Sequence, residues 1–183
     1  KAGMAEVIKY GVISDLELFE LLEKQDNISD ISKIKEELLI EIIKRSAKSK
    51  AEIVVKDEKE SGVRAFLNYG HTFGHVIENL CGYGKWLHGE AVAMGMVAVG
   101  QLAVQRGLWK DNDAKRQKLL IEKAGLPSRW PNLEIESVLS SLQGDKKVKN
   151  GKISFVMPLK IGDVKLFNNI SNKEIHECLQ KIN

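Results

Sequence analysis

Arg64-Ala-Phe-Leu-Asn68-Tyr-Gly-His71-Thr-Phe-Gly-His75, followed shortly by Leu87-His88-Gly-Glu90, holds three of the four histidines in the chain. Residues 63–79 read as a helix. On it Arg64 and Asn68, and likewise His71 and His75, are spaced i, i+4 and share a face. Gly70 and Gly74 weaken that helix by roughly 1 kcal/mol each relative to Ala. A helix that keeps both glycines points to close approach of a ligand or of another backbone. The second histidine-bearing stretch opens a long apolar helix, 88–106, ended by Gly107, in which Met94 and Met96 are core residues. A polar, cationic, metal-capable cluster thus sits within otherwise apolar sequence.

Working outward, residues 4–10 read as a short helix carrying Glu6 and Lys9 and ended by Gly11. Asp15 is placed to cap a helix over 16–24. Residues 27–30 form a loop. Ile34, Leu38, Leu39, Ile42 and Ile43 recur at helical spacing and carry a helix to about residue 55. Residues 57–62 are a charged turn and 81–84 a loop. Further helices are expected at 114–124, 133–142 and 172–182, with a lysine-bearing turn at 144–151. Two short strands, 153–157 and 164–167, joined by 158–163, read as a hairpin. The fold class is mainly α, one domain over 1–183 with one small β-hairpin.

The chain has 183 residues, 43% hydrophobic and 29% charged, which suits one globular domain with a core. A net charge of +3 is mild. It argues against a polybasic nucleic-acid binder and fits an anionic small-molecule ligand. The longest apolar run, 91–104, is broken by Gly95, Gly100 and Gln101 and is too short to span a membrane. Cys81 and Cys178, the only cysteines, suggest neither a disulfide framework nor a Cys-type zinc site, so a reducing cytoplasm is expected. Both read as buried rather than reactive. His176 stands apart from the cluster.

His71 and His88 lead as metal ligands, because catalytic zinc takes N and O donors from three protein groups and leaves a position open. Glu6 is the candidate third ligand. Glu6 and Lys9 can equally be a solvated surface pair on their helix. His75 is either a ligand or a general acid/base, and a satisfied core histidine is its plainer reading. Arg64 offers a planar fork for carboxylate or phosphate, or a surface pair with Glu60. Lys50, Lys146 and Lys147 are candidate anion binders.

Taken together, Lys1-Ala-Gly-Met-Ala-Glu-Val-Ile-Lys9, Asp57-Glu-x-Glu-x-Gly-x-Arg64, Leu67-Asn-Tyr-Gly-His-Thr-Phe-Gly-His75, His88-Gly-Glu-Ala-Val-Ala-x-Gly95 and Asp145-Lys-Lys147 resemble the C-terminal domain of 3-dehydroquinate synthase. The resemblance runs from the first residues to about Gly162. It implies Glu6, His71 and His88 as ligands of a divalent metal, Zn or Co. It implies that Lys9, Lys50, Arg64, Asn68 and His75 hold the substrate's carboxylate, hydroxyls and phosphate. His75, Lys9, Lys50 and Glu60 would form the catalytic group, and one of Lys146 and Lys147 would touch phosphate. In this family an N-terminal α/β domain binds NAD, and a mostly helical C-terminal domain carries the metal and most substrate groups.

The implied reaction converts DAHP, a seven-carbon keto-sugar-acid phosphate, to 3-dehydroquinate and phosphate, a carbon–oxygen lyase step of the shikimate pathway of aromatic amino-acid biosynthesis. The full-length enzyme is expected to be a cytoplasmic homodimer that needs neither nucleic acid nor membrane. The chain carries no GxGxxG-like strand–turn–helix. It is therefore expected to be the C-terminal domain without its NAD domain, and inactive in isolation. Related sugar-phosphate cyclases, metal-dependent polyol dehydrogenases and a non-catalytic helical metal-binding fragment are the competing readings. Arg64, Asn68 and Lys50 together favour an anionic substrate over a polyol.

Overall fold

The computed structural model describes residues 1–57, 62–144 and 153–182. Its elements are helices α1 (Ala2–Ile13), α2 (Leu16–Glu23), α3 (Glu36–Lys56), α4 (His71–Cys81), α5 (His88–Gln105), α6 (Asp111–Lys123) and α7 (Ile135–Gly144), then an antiparallel pair β1 (Ile153–Lys160) and β2 (Asp163–Ile170), then α8 (Asn172–Ile182). The mainly helical class with one hairpin is what the sequence predicts.

The caps explain several boundaries. Asp15 accepts the Leu18 amide at 2.9 Å and starts α2. Asp30 accepts the Ser32 amide at the head of a short 3-10 turn, Ile31–Lys33. Glu36 and Glu37 lie at the N-terminal end of α3 and Lys56 at its C-terminal end, the charge order a helix dipole favours.

Helix α5 is the axis of the core. Ala91, Val92, Ala93, Met94, Met96, Ala98, Val99, Leu102 and Ala103 are all buried on it. Helices α1, α4, α6 and α8 and strand β1 pack around it. Burial on nearly all sides is why its sequence lacks an amphipathic stripe. An aromatic group closes one end: Phe73 lies 4.9 Å from Phe155 and 5.4 Å from Trp130, centroid to centroid.

Three expectations are corrected. The helix expected over 63–79 is two elements: a 3-10 turn, Val63–Asn68, and α4. Gly70 divides them at φ +78°, a left-handed conformation that costs a glycine little. A Cβ there would sit 2.9 Å from the Val92 carbonyl oxygen. Gly11 does not end α1 but lies inside it, where a Cβ would meet Phe19 at 3.0 Å. The hairpin turn is also tighter than expected. Pro158 lies within β1 opposite Val164, next to a register irregularity, and only Ile161 and Gly162 separate the strands. A ribbon edge beside a bulge tolerates a residue with no N–H to donate.

Candidate functional site

Helices α4 and α5 approach backbone to backbone where they carry the histidines. A Cβ on Gly95 would lie 2.1 Å from the Gly70 carbonyl oxygen and 2.8 Å from the Gly74 amide nitrogen. A Cβ on Gly89 would lie 2.1 Å from the Ala2 carbonyl oxygen of α1. Glycine at these places lets three helices converge on one point.

At that point the ligand atoms of Glu6, His71 and His88 all lie within 4.8 Å of one another. His71 Nε2 is 3.6 Å from Glu6 Oε1. The imidazole rings of His71 and His88 are 5.2 Å apart, and His75 stands 5.7 Å from His71 and 6.1 Å from His88.

Both histidines of the trio are oriented by their Nδ1 atoms. His71 Nδ1 lies 3.1 Å from the Tyr69 carbonyl, which can only accept, so this nitrogen carries the proton. Tyr69 is itself fixed: its hydroxyl donates to Gln117 Oε1 at 2.6 Å, and Gln117 Nε2 donates to the Met96 carbonyl at 3.0 Å. His88 Nδ1 lies 3.0 Å from Glu78 Oε1. In the neutral form of each ring Nε2 is left as the lone-pair nitrogen.

The donor set suits a divalent metal. Glu6 Oε1 is shut off from solvent and, among the described residues, has no hydrogen-bond partner, a costly state for a buried carboxylate oxygen. A cation between Oε1 and the two imidazole nitrogens would relieve it, and two nitrogens with one oxygen is a donor set that zinc or cobalt accepts.

The other carboxylate oxygen is occupied. Lys9 Nζ donates to Glu6 Oε2 at 2.6 Å and to the Leu67 carbonyl at 2.9 Å. The surface-pair reading of Glu6 and Lys9 is therefore wrong: Lys9 is 3% exposed. Removal from water lowers the Lys9 pKa, Glu6 opposes that shift, and the nearby charge of Lys50 adds to it. Burial likewise holds the His71 pKa down to about 4, helped by the Lys9 ammonium. His71 is therefore neutral near pH 7, as a metal ligand must be.

A family model for the 3-dehydroquinate synthase C-terminal domain matches residues 3–148. The chain belongs to that family. It is 92% identical over 182 residues to the 3-dehydroquinate synthase of Prochlorococcus marinus (strain NATL2A), covering 100% of this chain and 50% of that protein. It is 58% identical to the 3-dehydroquinate synthase of Synechococcus sp. (strain CC9605), covering 100% of this chain and 49% of that one. The chain thus spans about half the length of the curated relatives it matches. A 2-epi-5-epi-valiolone synthase from Streptomyces hygroscopicus, solved with NAD+ and Zn2+ bound, superposes with a TM-score of 0.87 at 26% identity over 99% of this chain and 50% of its own. A 2-deoxy-scyllo-inosose synthase shares the fold, with a TM-score of 0.81 at 23% identity.

Within this family domain the remaining candidates are placed as follows. Arg64 and Asn68 are on the 3-10 turn, not on the histidine helix, so the helical face that their i, i+4 spacing was expected to share with the histidines is not formed. The turn still reaches the site, because Leu67 between them accepts from Lys9. Lys50 is exposed near the end of α3. Glu60, Lys146 and Lys147 lie outside the described residues.

Two groups escape the sequence reading. Asp57, taken as part of a charged turn, is buried and accepts the Gly62 and Arg64 amides at 2.6 and 3.0 Å, which fixes the entry to the 3-10 turn. Glu78 is the other. Its signal is visible in hindsight: it stands i+7 from His71 and i+3 from His75, on one face of α4.

Proposed function

We propose that this chain forms the metal- and substrate-holding half of a 3-dehydroquinate synthase, an NAD- and metal-dependent carbon–oxygen lyase that converts DAHP to 3-dehydroquinate and phosphate. The observation that carries this reading is the convergence of Glu6, His71 and His88 around a carboxylate oxygen that has no hydrogen-bond partner among the described residues. Its rank among catalysts follows from the family and from relatives that bear that name.

When bound, zinc or cobalt would supply Lewis-acid polarisation of a substrate oxygen, and NAD the hydride chemistry. The chain's own residues do the rest. Glu6, through Oε1, and His71 and His88, through Nε2, would hold the metal. Lys9, Lys50 and Arg64 set positive charge around a substrate that carries a carboxylate and a phosphate. Asn68 offers both a donor and an acceptor to a hydroxyl. His75, about 6 Å from the other two rings, moves a proton or contacts phosphate. Glu60 and one of Lys146 and Lys147 complete the group on the strength of their sequence positions.

The full-length enzyme is proposed to be a cytoplasmic homodimer. The 183-residue chain alone is proposed to be inactive, because it has no glycine-rich dinucleotide cradle to hold nicotinamide against the substrate.

Two measurements test this. Zinc titrated into the full chain should bind at one equivalent, and His71→Ala and His88→Ala should each abolish that binding. In the full-length enzyme supplied with DAHP, NAD and zinc, Arg64→Ala should cut phosphate release without lowering the melting temperature. Absence of zinc binding by the wild-type chain overturns the metal assignment. Unchanged kinetics in Arg64→Ala overturns the anion-site assignment.

A further inference from the structure

We propose that Glu78 is a positioning residue for the metal centre: it locks His88 in the tautomer and ring orientation that aim Nε2 at Glu6 and His71. This inference rests on the metal reading above and deepens it. The two histidines of the trio are supported unequally. His71 is largely buried and takes a backbone carbonyl on Nδ1, held by the Tyr69–Gln117–Met96 relay. His88 is the first residue of α5, and its side chain is 51% exposed. Nothing about its burial fixes the ring. Among the described residues its hydrogen-bond partner is the Glu78 carboxylate at 3.0 Å, and that side chain is only 17% exposed.

The placement of Glu78 is itself constrained. It projects from the C-terminal half of α4, and α4 is fixed to α5 through the Gly70–Gly95 contact. The carboxylate therefore comes from a rigid element, whereas the ring it holds lies at a helix terminus. A carboxylate can only accept, so Nδ1 must be the donor, and in the neutral ring Nε2 is then the lone-pair nitrogen. Without this bond both tautomers and several rotamers of an exposed imidazole become available. The ordering then has to be supplied by metal binding itself. Removing an outer-shell partner of this kind typically weakens metal binding 10- to 100-fold.

A neighbouring arrangement shares His88. His75, Glu78 and His88 also have ligand atoms within 4.8 Å of one another. If that trio took a metal of its own, Glu78 would be a ligand and not a support.

The experiment is a Co2+ titration of the full chain, followed by visible absorption and by the melting temperature of the metal-free protein. The variants are Glu78→Ala, Glu78→Gln and His88→Ala. The wild type should bind one equivalent, and His88→Ala none. Glu78→Ala should bind one equivalent about 10- to 100-fold more weakly, with an altered cobalt spectrum and an unchanged metal-free melting temperature. Glu78→Gln keeps an oxygen that can accept from Nδ1, and should recover most of the affinity and the wild-type spectrum. If Glu78→Ala does not fold, Glu78→Asp, which withdraws the carboxylate by one methylene, carries the same expectation of weaker binding and altered spectrum. Failure of the wild type to bind Co2+, or wild-type binding by His88→Ala, overturns the metal reading. Loss in His88→Ala with wild-type affinity and spectrum in Glu78→Ala (or, if that is unfolded, Glu78→Asp) overturns the positioning role alone. Two equivalents in the wild type, falling to one in Glu78→Gln, would make Glu78 a ligand and overturn it as well.

Discussion

Helix α5 is buried in two opposite ways. Against α4 it presents backbone: Gly95 meets Gly70 and Gly74 at distances that leave no room for a methyl group. Against β1 and α8 it presents side chains, and large residues such as Leu102, Phe155 and Leu179 fill the space. The first contact has no rotamers to adjust, so a change there moves whole helices. The second is an ordinary packed core, in which neighbours relax and the damage stays local. The proposed metal centre, whose donors need fixing to a fraction of an ångström, sits on the first contact, and the second buries large apolar side chains.

The largest expected effect is in the packed core. Phe155→Ala should cost about 3–5 kcal/mol in denaturant unfolding, yet the protein that remains folded should bind zinc as the wild type does. If zinc affinity falls in step with stability, the two regions are not separable.

Acid should act mainly on the other region. The folded pKa of His71 is about 4, below its ordinary 6.5, because burial opposes the charged form. The unfolded chain therefore binds the proton more readily. Stability of the metal-free protein is at its full value above pH 6.5 and falls as pH drops toward 4, by at most about 3 kcal/mol at 1.4 kcal/mol per unit. His71→Gln should flatten that slope in unfolding curves taken across the window, and an unchanged slope would locate the acid-sensitive group elsewhere.

Gly95→Ala should cost about 1–3 kcal/mol through overpacking. Unlike Phe155→Ala, it should also weaken zinc binding in the folded protein, since pushing α4 from α5 separates His71 from His88. Calorimetry on the two variants side by side sharpens the comparison most directly, and equal affinities would break it. The smallest effect belongs to a helix cap remote from the glycine contact. Ser171 accepts the Glu174 amide and donates to the Glu174 carboxylate, so Ser171→Ala should cost about 1 kcal/mol and leave zinc affinity untouched.

The helices and the hairpin were legible because periodicity and caps are local signals: Asp15 before an apolar run, short apolar runs at 153–157 and 164–167 either side of a turn. The break at Gly70 was not. A glycine inside a helix-like pattern has one appearance whether it is tolerated or turned to positive φ, and only the Met96 and Val92 atoms of another helix decide between them. The same holds for Glu6 and Lys9. Their spacing is that of a surface pair, and burial of Lys9 is set by residues some sixty positions away. The histidine trio could be read because histidine is rare in this chain. Asp57 could not, because acids are common in it and nothing local separates one that orients a turn from one that is merely solvated; Glu78 has only its helical spacing from His71 and His75 to set it apart.

The tip of the hairpin carries a consequence of its own. The Gly162 amide donates to the Val12 carbonyl at 2.9 Å, near the end of the helix that supplies Glu6 about 9 Å away along its axis. That proton is shielded only while the ribbon stays docked on α1. Its solvent-exchange rate is therefore a clock for undocking of the ribbon, readable without denaturant and without touching any side chain of the proposed metal centre.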